Sequence, residues 1–399
     1  MTTRLIPVAA LALASGIVAA QPAAKPQAPV KPPPVVDYTA LAEKLVATSA
    51  HVKEGEVVAI SGGTLDLPLL EDIAIAVRKR GAFPFITIDT DKIAKAMNTQ
   101  VPDKYDAQSP KLALALARVV DVYITIPAVR DPGIAAMLAP DRAARRAKAS
   151  QAVEDARRAR RARVVELDNG LAPSWSRAND LGIAEAELAK IFWDGLNADF
   201  TVVEAKCKTL RDTIAAGKQL HITHANGTDI TLAVKGRKTY ASDGVTSDAD
   251  LQAGGPAVQV WLPAGDVYTT PAPGTAKGKL VDDRMVFLGK EITGVTVEIA
   301  NGKVTSVSAK SGWDAIKARY DAAGPGKTEV GFVDLGCNPA VRTGGKLETW
   351  MGAGMVTIGI GGNAWAGGTN KEPFSLAYQL AGATVSLDGK ILVENGQLK

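Results

Sequence analysis

From residue 37 onward the apolar positions alternate between two periods. Leu41, Leu45 and Val46 fall at helical spacing, and Leu67, Leu70, Ile73, Ala74 and Val77 mark a second helical face that Gly81 stops. Residues 56–61 (EVVAIS), 83–89 (FPFITID) and 119–126 (VVDVYITI) are short apolar runs that predict strands. Strand, helix and strand at these intervals imply a parallel sheet with helices on its faces. After about residue 198 the pattern changes. A helix is predicted over 203–216, followed by short alternating segments at 220–224, 230–234, 258–262, 295–299, 304–308 and 356–360. Asn226-Gly227, Asn301-Gly302 and Asp388-Gly389 are turn signals, and the first two fit hairpins. The expected architecture is an α/β N-terminal domain over 37–197 with a parallel sheet, then an α+β C-terminal domain over 198–399 with mostly antiparallel strands. A cleft between or within them is the default place for a site.

The first 36 residues follow neither period. Arg4 precedes an apolar run from Leu5 to Ala20 with small residues at Val18 and Ala20, the pattern of a cleaved secretory signal over 1–20. Pro7, Ser15 and Gly16 interrupt the run and it is short for a spanning helix, so no stable membrane insertion is expected. Residues 21–36 (QPAAKPQAPVKPPPVV) read as an extended linker rich in Pro and Ala. These features predict an exported protein, in a bacterial periplasm or outside the cell.

Composition adds exclusions. The chain has 399 residues, 46% of them hydrophobic and 22% charged, with a net charge of +4 that is too small to argue for nucleic acid as a partner. The arginines at 142, 145, 146, 157, 158, 160, 161 and 163 lack interleaved aromatics and read as a solvated helix face. Cys207 and Cys337 are the only cysteines, which excludes a thiolate zinc cluster and leaves open a single bridge between them.

Candidate chemistry is sparse. His51, His221 and His224 are the only histidines, and neither a G-x-S-x-G nor an H-E-x-x-H pattern occurs. His51 closes the first predicted helix, a structural role, and His221 and His224, three apart on a strand, point to opposite faces. Gly62-Gly63 reads as a tight turn, whereas the run GIGGNAWAGG over 359–368 implies backbone close to something bulky. The most specific segment is 262–278, LPAGDVYTTPAPGTAKG, which would present the Asp266 carboxylate on a rigid loop, either to a metal or to backbone N–H groups of its own turn.

This segment resembles the glutamate-bearing loop of the thermophilic metalloaminopeptidases, the aminopeptidase T and aminopeptidase S type. VKEGEVVAISGG at 52–63, NGTDITLAVKGR at 226–237, GCNP at 336–339 and Asp388-Gly389 extend the similarity over roughly 37–399. The resemblance implies metal-dependent removal of N-terminal residues from peptides, a fold of that type and a possible homodimer. Carried over by position, the family's first glutamate falls on Asp266 and its second on Phe332, with Asp334 two residues later. Its first histidine falls on Thr357, its tyrosine near Ala364, and its final histidine and aspartate on Ala377 and Gln379. An acidic run falls on Thr349, Trp350 and Met351, beside Glu348. Most ligand positions are thus substituted, and two readings follow. Asp266, Asp334 and Glu348, with His221 or His224, hold one divalent zinc, cobalt or manganese ion in a surviving peptidase site. Alternatively, an apolar pocket lined by Phe332, Trp350, Thr357, Ala377 and Gln379 binds a peptide or an uncharged or aromatic small molecule without catalysis.

Overall fold

The alternating first half builds a parallel sheet from β1 (Val57–Gly62), β2 (Phe83–Ile88), β3 (Val122–Thr125) and β4 (Arg163–Leu167). The structure, a computed structural model, describes residues 37–131, 133–341 and 347–399. The expected signal segment and linker lie outside them. The helix Leu67–Lys79 buries Leu69, Leu70, Ile73, Ala76 and Val77, and Gly81, at φ +75°, reverses the chain just beyond it.

The second half supplies β5 (Gln219–Thr223), β6 (Asp229–Ala233), β7 (Thr239–Ser242), β8 (Gln259–Leu262) and β9 (Asp266–Thr269). It continues with β10 (Lys277–Phe287), β11 (Lys290–Ala300), β12 (Lys303–Ser308), β13 (Val330–Gly336) and β14 (Val356–Gly361). β15 (Ser375–Leu380), β16 (Thr384–Leu387), β17 (Lys390–Glu394) and β18 (Gln397–Leu398) complete it. One antiparallel sheet has the order β12-β11-β10-β6-β5-β16-β17-β18, and a five-stranded one has the order β15-β14-β13-β9-β7. Asn301-Gly302 and Asp388-Gly389 close the β11–β12 and β16–β17 hairpins with positive φ at both positions, which a two-residue turn of matching twist requires.

Two elements depart from the sequence reading. Segment 258–262, read as part of the antiparallel half, is β8, and it runs parallel to β4 to give the order β2-β1-β3-β4-β8. A period of two identifies a strand but not its sheet. The helix predicted from residue 203 spans Phe200–Ala216, because the Asp199 side chain accepts from the Thr201 N–H and caps it three residues earlier.

The arginine-rich segment forms the helix Pro140–Arg160. Part of its charge faces inward rather than to solvent: Arg142, Arg145 and Arg146 reach the wholly buried Asp106 carboxylate at 2.6, 3.4 and 2.6 Å. The Arg142 guanidinium holds that carboxyl well below its usual range. Among the described residues no helix is long and apolar enough to cross a membrane.

Cys207 and Cys337, left open by the sequence, form a buried disulfide with Cα atoms 5.7 Å apart. It ties the helix Phe200–Ala216 to the end of β13 across 130 positions of chain. Cross-links over long loops restrict the unfolded chain most. Replacing both cysteines by alanine is therefore expected to lower the unfolding free energy by about 2–4 kcal/mol in a denaturant titration. An unchanged midpoint and slope would contradict this.

Candidate functional site

The register of the five-stranded sheet decides which side chains meet. Tyr240, Tyr268, Asp334, Thr357 and Gln379 stand opposite one another in one row across β7, β9, β13, β14 and β15. Ser242, Asp266 and Gly336 form the row on one side, and Phe332, Gly359 and Ala377 the row on the other. Residues two apart on a strand share a face, so all of these project to one side. Val267, Val333, Leu335, Val356, Ile358, Ile360 and Leu380 project to the other side, into the main core.

Asp266 and Asp334 sit diagonally across the β9–β13 pair, only 2% and 4% exposed. Asp266 is the first residue of β9 rather than part of a loop. Its Oδ2 accepts from Asn169 Nδ2 at 2.7 Å, a side chain delivered from beyond β4, so it does not cap its own turn. Asp266 Oδ1 and Asp334 Oδ1 are buried and have no hydrogen-bond partner. Burial pushes the Asp266 carboxyl up to about 7 against the opposing Asn169 bond. The Asp334 carboxyl is raised by burial first and by the nearby Asp266 charge second.

Aromatic rings cover this pair. Trp365, on the short turn Ala364–Ala366, packs against Phe332, Tyr268 and Trp261 with ring centroids 4.8, 5.1 and 5.3 Å apart. Trp350 stacks on Phe332 at 6.2 Å. The Tyr268 hydroxyl donates to the Pro256 carbonyl at 2.9 Å. The glycine run read as backbone beside something bulky is explained at Gly359, where a Cβ would lie 1.9 Å from the Phe332 ring.

A pocket of about 510 Å³ opens over Asp266 and Asp334, walled by Trp261, Trp350 and Trp365 and by Asn169, Gly170 and Glu166 around β4. The helix Pro140–Arg160 and the residues after it supply Glu154, Arg157, Arg158 and Arg161 to its rim. Trp350 divides it from a second pocket of about 530 Å³ that includes Ala377 and Gln379. Phe332 and Thr357 lie on the same sheet face but are buried beneath the rings, outside either lining.

Glu348 stands apart from the pair. It shares a small pocket with Asp282, Arg177, Arg284 and Gln379. His221 bonds Asp229 on the eight-stranded sheet at 2.8 Å, and His224 bonds the Ala381 carbonyl at 3.1 Å. Neither histidine lines the pocket over Asp266. His51 Nδ1 lies 2.8 Å from the Thr246 carbonyl, a structural tie. Among the described residues no three His, Cys, Asp or Glu side chains come together as a metal-binding group. The sequence reading did not single out Trp261, Tyr268, Trp365, Asn169 or Glu166. Of these, Tyr268 lies inside the singled-out 262–278 segment and Trp365 inside the glycine-rich run, whereas the other three carried no functional signal.

The fold thus joins a parallel sheet to antiparallel sheets, with the carboxylates of Asp266 and Asp334 on the floor of a pocket. The thermophilic metalloprotease (M29) model matches residues 37–339, and the chain belongs to that family. Its fold is similar to that of wild-type AmpT from Thermus thermophilus, at a TM-score of 0.70 and 19% identity over 90% of this chain and 98% of that one. It is also similar to 2,5-dihydroxypyridine dioxygenase from Pseudomonas putida KT2440, at a TM-score of 0.56 and 14% identity over 91% and 96%. No curated protein sequence matches the chain.

The second acid pocket has a consequence for stability. Burial pushes Asp282 up to about 7, and burial followed by the Asp282 charge pushes Glu348 up to about 7. Between roughly pH 4 and 7 the folded protein holds these protons while the unfolded chain has released them, so stability falls as pH rises, by up to about 1.4 kcal/mol per pH unit per carboxyl. Asp282→Asn is expected to shrink the loss of unfolding free energy between pH 5 and pH 8, measured by denaturant titration at both. A loss equal to that of the unsubstituted protein would contradict the assignment.

Proposed function

We propose that this protein is an exported member of its family that uses the pocket over Asp266 and Asp334 to bind a small molecule rather than to carry out two-metal hydrolysis. The donor set carries the reading. A pair of dications held close together needs several anionic or imidazole ligands, with supporting hydrogen bonds, to offset their dehydration and mutual repulsion. The two carboxylates here are surrounded by Tyr268, Phe332, Trp350 and Trp365, with Thr357 and Gly336 as their partners in register. Those residues do not fit two metal ions. They do fit a ligand with apolar surface, because indole walls give large contact area and a small number of polar groups fixes orientation. The buried disulfide supports export, since such bonds persist in oxidising compartments.

A second reading is favoured by one observation. Each carboxylate keeps one oxygen without a partner, which would suit one weakly held zinc, cobalt or manganese ion and residual aminopeptidase activity. Glu348, in its separate pocket, would not join them. The two readings separate in one assay: the mature chain is loaded with each ion, dialysed, and assayed for bound metal and for hydrolysis of leucine amide and other aminoacyl amides. Binding without hydrolysis predicts metal well below one ion per chain and no turnover that a chelator abolishes. Stoichiometric metal with chelator-sensitive turnover would overturn it.

A further inference from the structure

Asp266 and Asp334 present a charge problem that the protein does not solve internally. Both are more than nine-tenths buried, each leaves an oxygen unpartnered, and among the described residues neither forms an ion pair. The guanidinium groups at the pocket rim are largely engaged with other partners, although Arg157 Nε is buried without one. Arg157 pairs with Glu154 and lies over the Tyr123 ring, Arg158 pairs with Asp155, and Arg161 donates to the Leu251 and Gln252 carbonyls. Buried carboxylates are retained at low cost only when a cation or donors meet them. The open space beside them is walled by three indoles. Tryptophan faces attract cations, and the attraction grows when both partners are out of water. An inorganic dication would find two adjoining carboxylates with no third acidic, imidazole or thiolate group gathered beside them among the described residues, a poor exchange for its water shell. An ammonium group on an apolar skeleton matches the aspartates and the indoles together: its N–H groups pair with the Asp266 and Asp334 carboxylates that line the pocket, and its carbons lie against the rings.

Building on the binding reading above, we infer that the ligand is an organic ammonium ion, an amine joined to an apolar or aromatic group, held by Asp266 and Asp334 beneath Trp261, Trp350 and Trp365. A peptide bond is not required for recognition.

The test compares matched pairs of probes that differ in charge: 2-phenylethylammonium against 2-phenylethanol, and cyclohexylammonium against cyclohexanol. Binding to the full mature chain is followed by titration calorimetry and by tryptophan fluorescence. At least one amine is expected to bind about tenfold or more tightly than its alcohol. Asp334→Asn should erase most of that difference while leaving the alcohol's affinity within about twofold, and Trp365→Leu should weaken amine and alcohol together. Asp266→Asn serves if Asp334→Asn does not fold, as judged by circular dichroism. Equal affinity for amine and alcohol would overturn the ammonium assignment and leave the binding reading standing. Failure of all four probes to bind would overturn both.

Discussion

The site is organised around two carboxylates that the sheet register forces together in a nearly dry place. Asp266 and Asp334 cannot separate without breaking the β9–β13 ladder, and that ladder is the middle of a five-stranded sheet whose other face is the main core. Their proximity is therefore enforced by the same hydrogen bonds and apolar packing that hold the fold. The electrostatic cost appears as raised affinity for protons at both residues, driven by desolvation and, at Asp334, also by the neighbouring charge. A protein that retains such an arrangement retains a strained electrostatic state that a proton or a positively charged partner relieves.

The surrounding structure serves that pair. The disulfide ends at Cys337, one residue past β13, where the Cys337 N–H donates to the Gly265 carbonyl at 2.7 Å. Asn338 Nδ2 donates to the Ala264 carbonyl at 2.6 Å, and Asn169 clasps both Pro263 and Asp266. The turn that introduces Asp266 is thus gripped by β4's loop on one side and by the cross-linked end of β13 on the other. Such second-layer contacts fix a functional side chain more firmly than its own rotamer preference does. The fold supplies the platform, and the chemistry depends on the few side chains that project from it.

Much of this was legible in the residues and some was not. The parallel strands announce themselves through apolar runs separated by helical faces, and the Asn-Gly and Asp-Gly turns fix hairpins locally. Asp266 was visible in its Pro-Ala-Gly segment, and family resemblance named Asp334, Phe332, Thr357, Ala377 and Gln379, which the strand register places on one sheet face, with Phe332 and Thr357 outside the pocket linings. Resemblance could not reveal that Glu348 turns towards Asp282, which depends on the path of a loop. Nor could it reveal that Trp261 enters from a strand of the other sheet, since a period of two does not name a strand's neighbour. The pairing of Cys207 with Cys337 was equally silent, because it depends on where a helix packs rather than on spacing.

The most direct measurement is an anomalous-difference map from crystals soaked in manganese or zinc at neutral pH. If the carboxylate pair and its aromatic surroundings have been read correctly, no pair of ordered ions stands over Asp266 and Asp334. Two well-coordinated ions bridged by those carboxylates would contradict that reading and restore the hydrolytic centre.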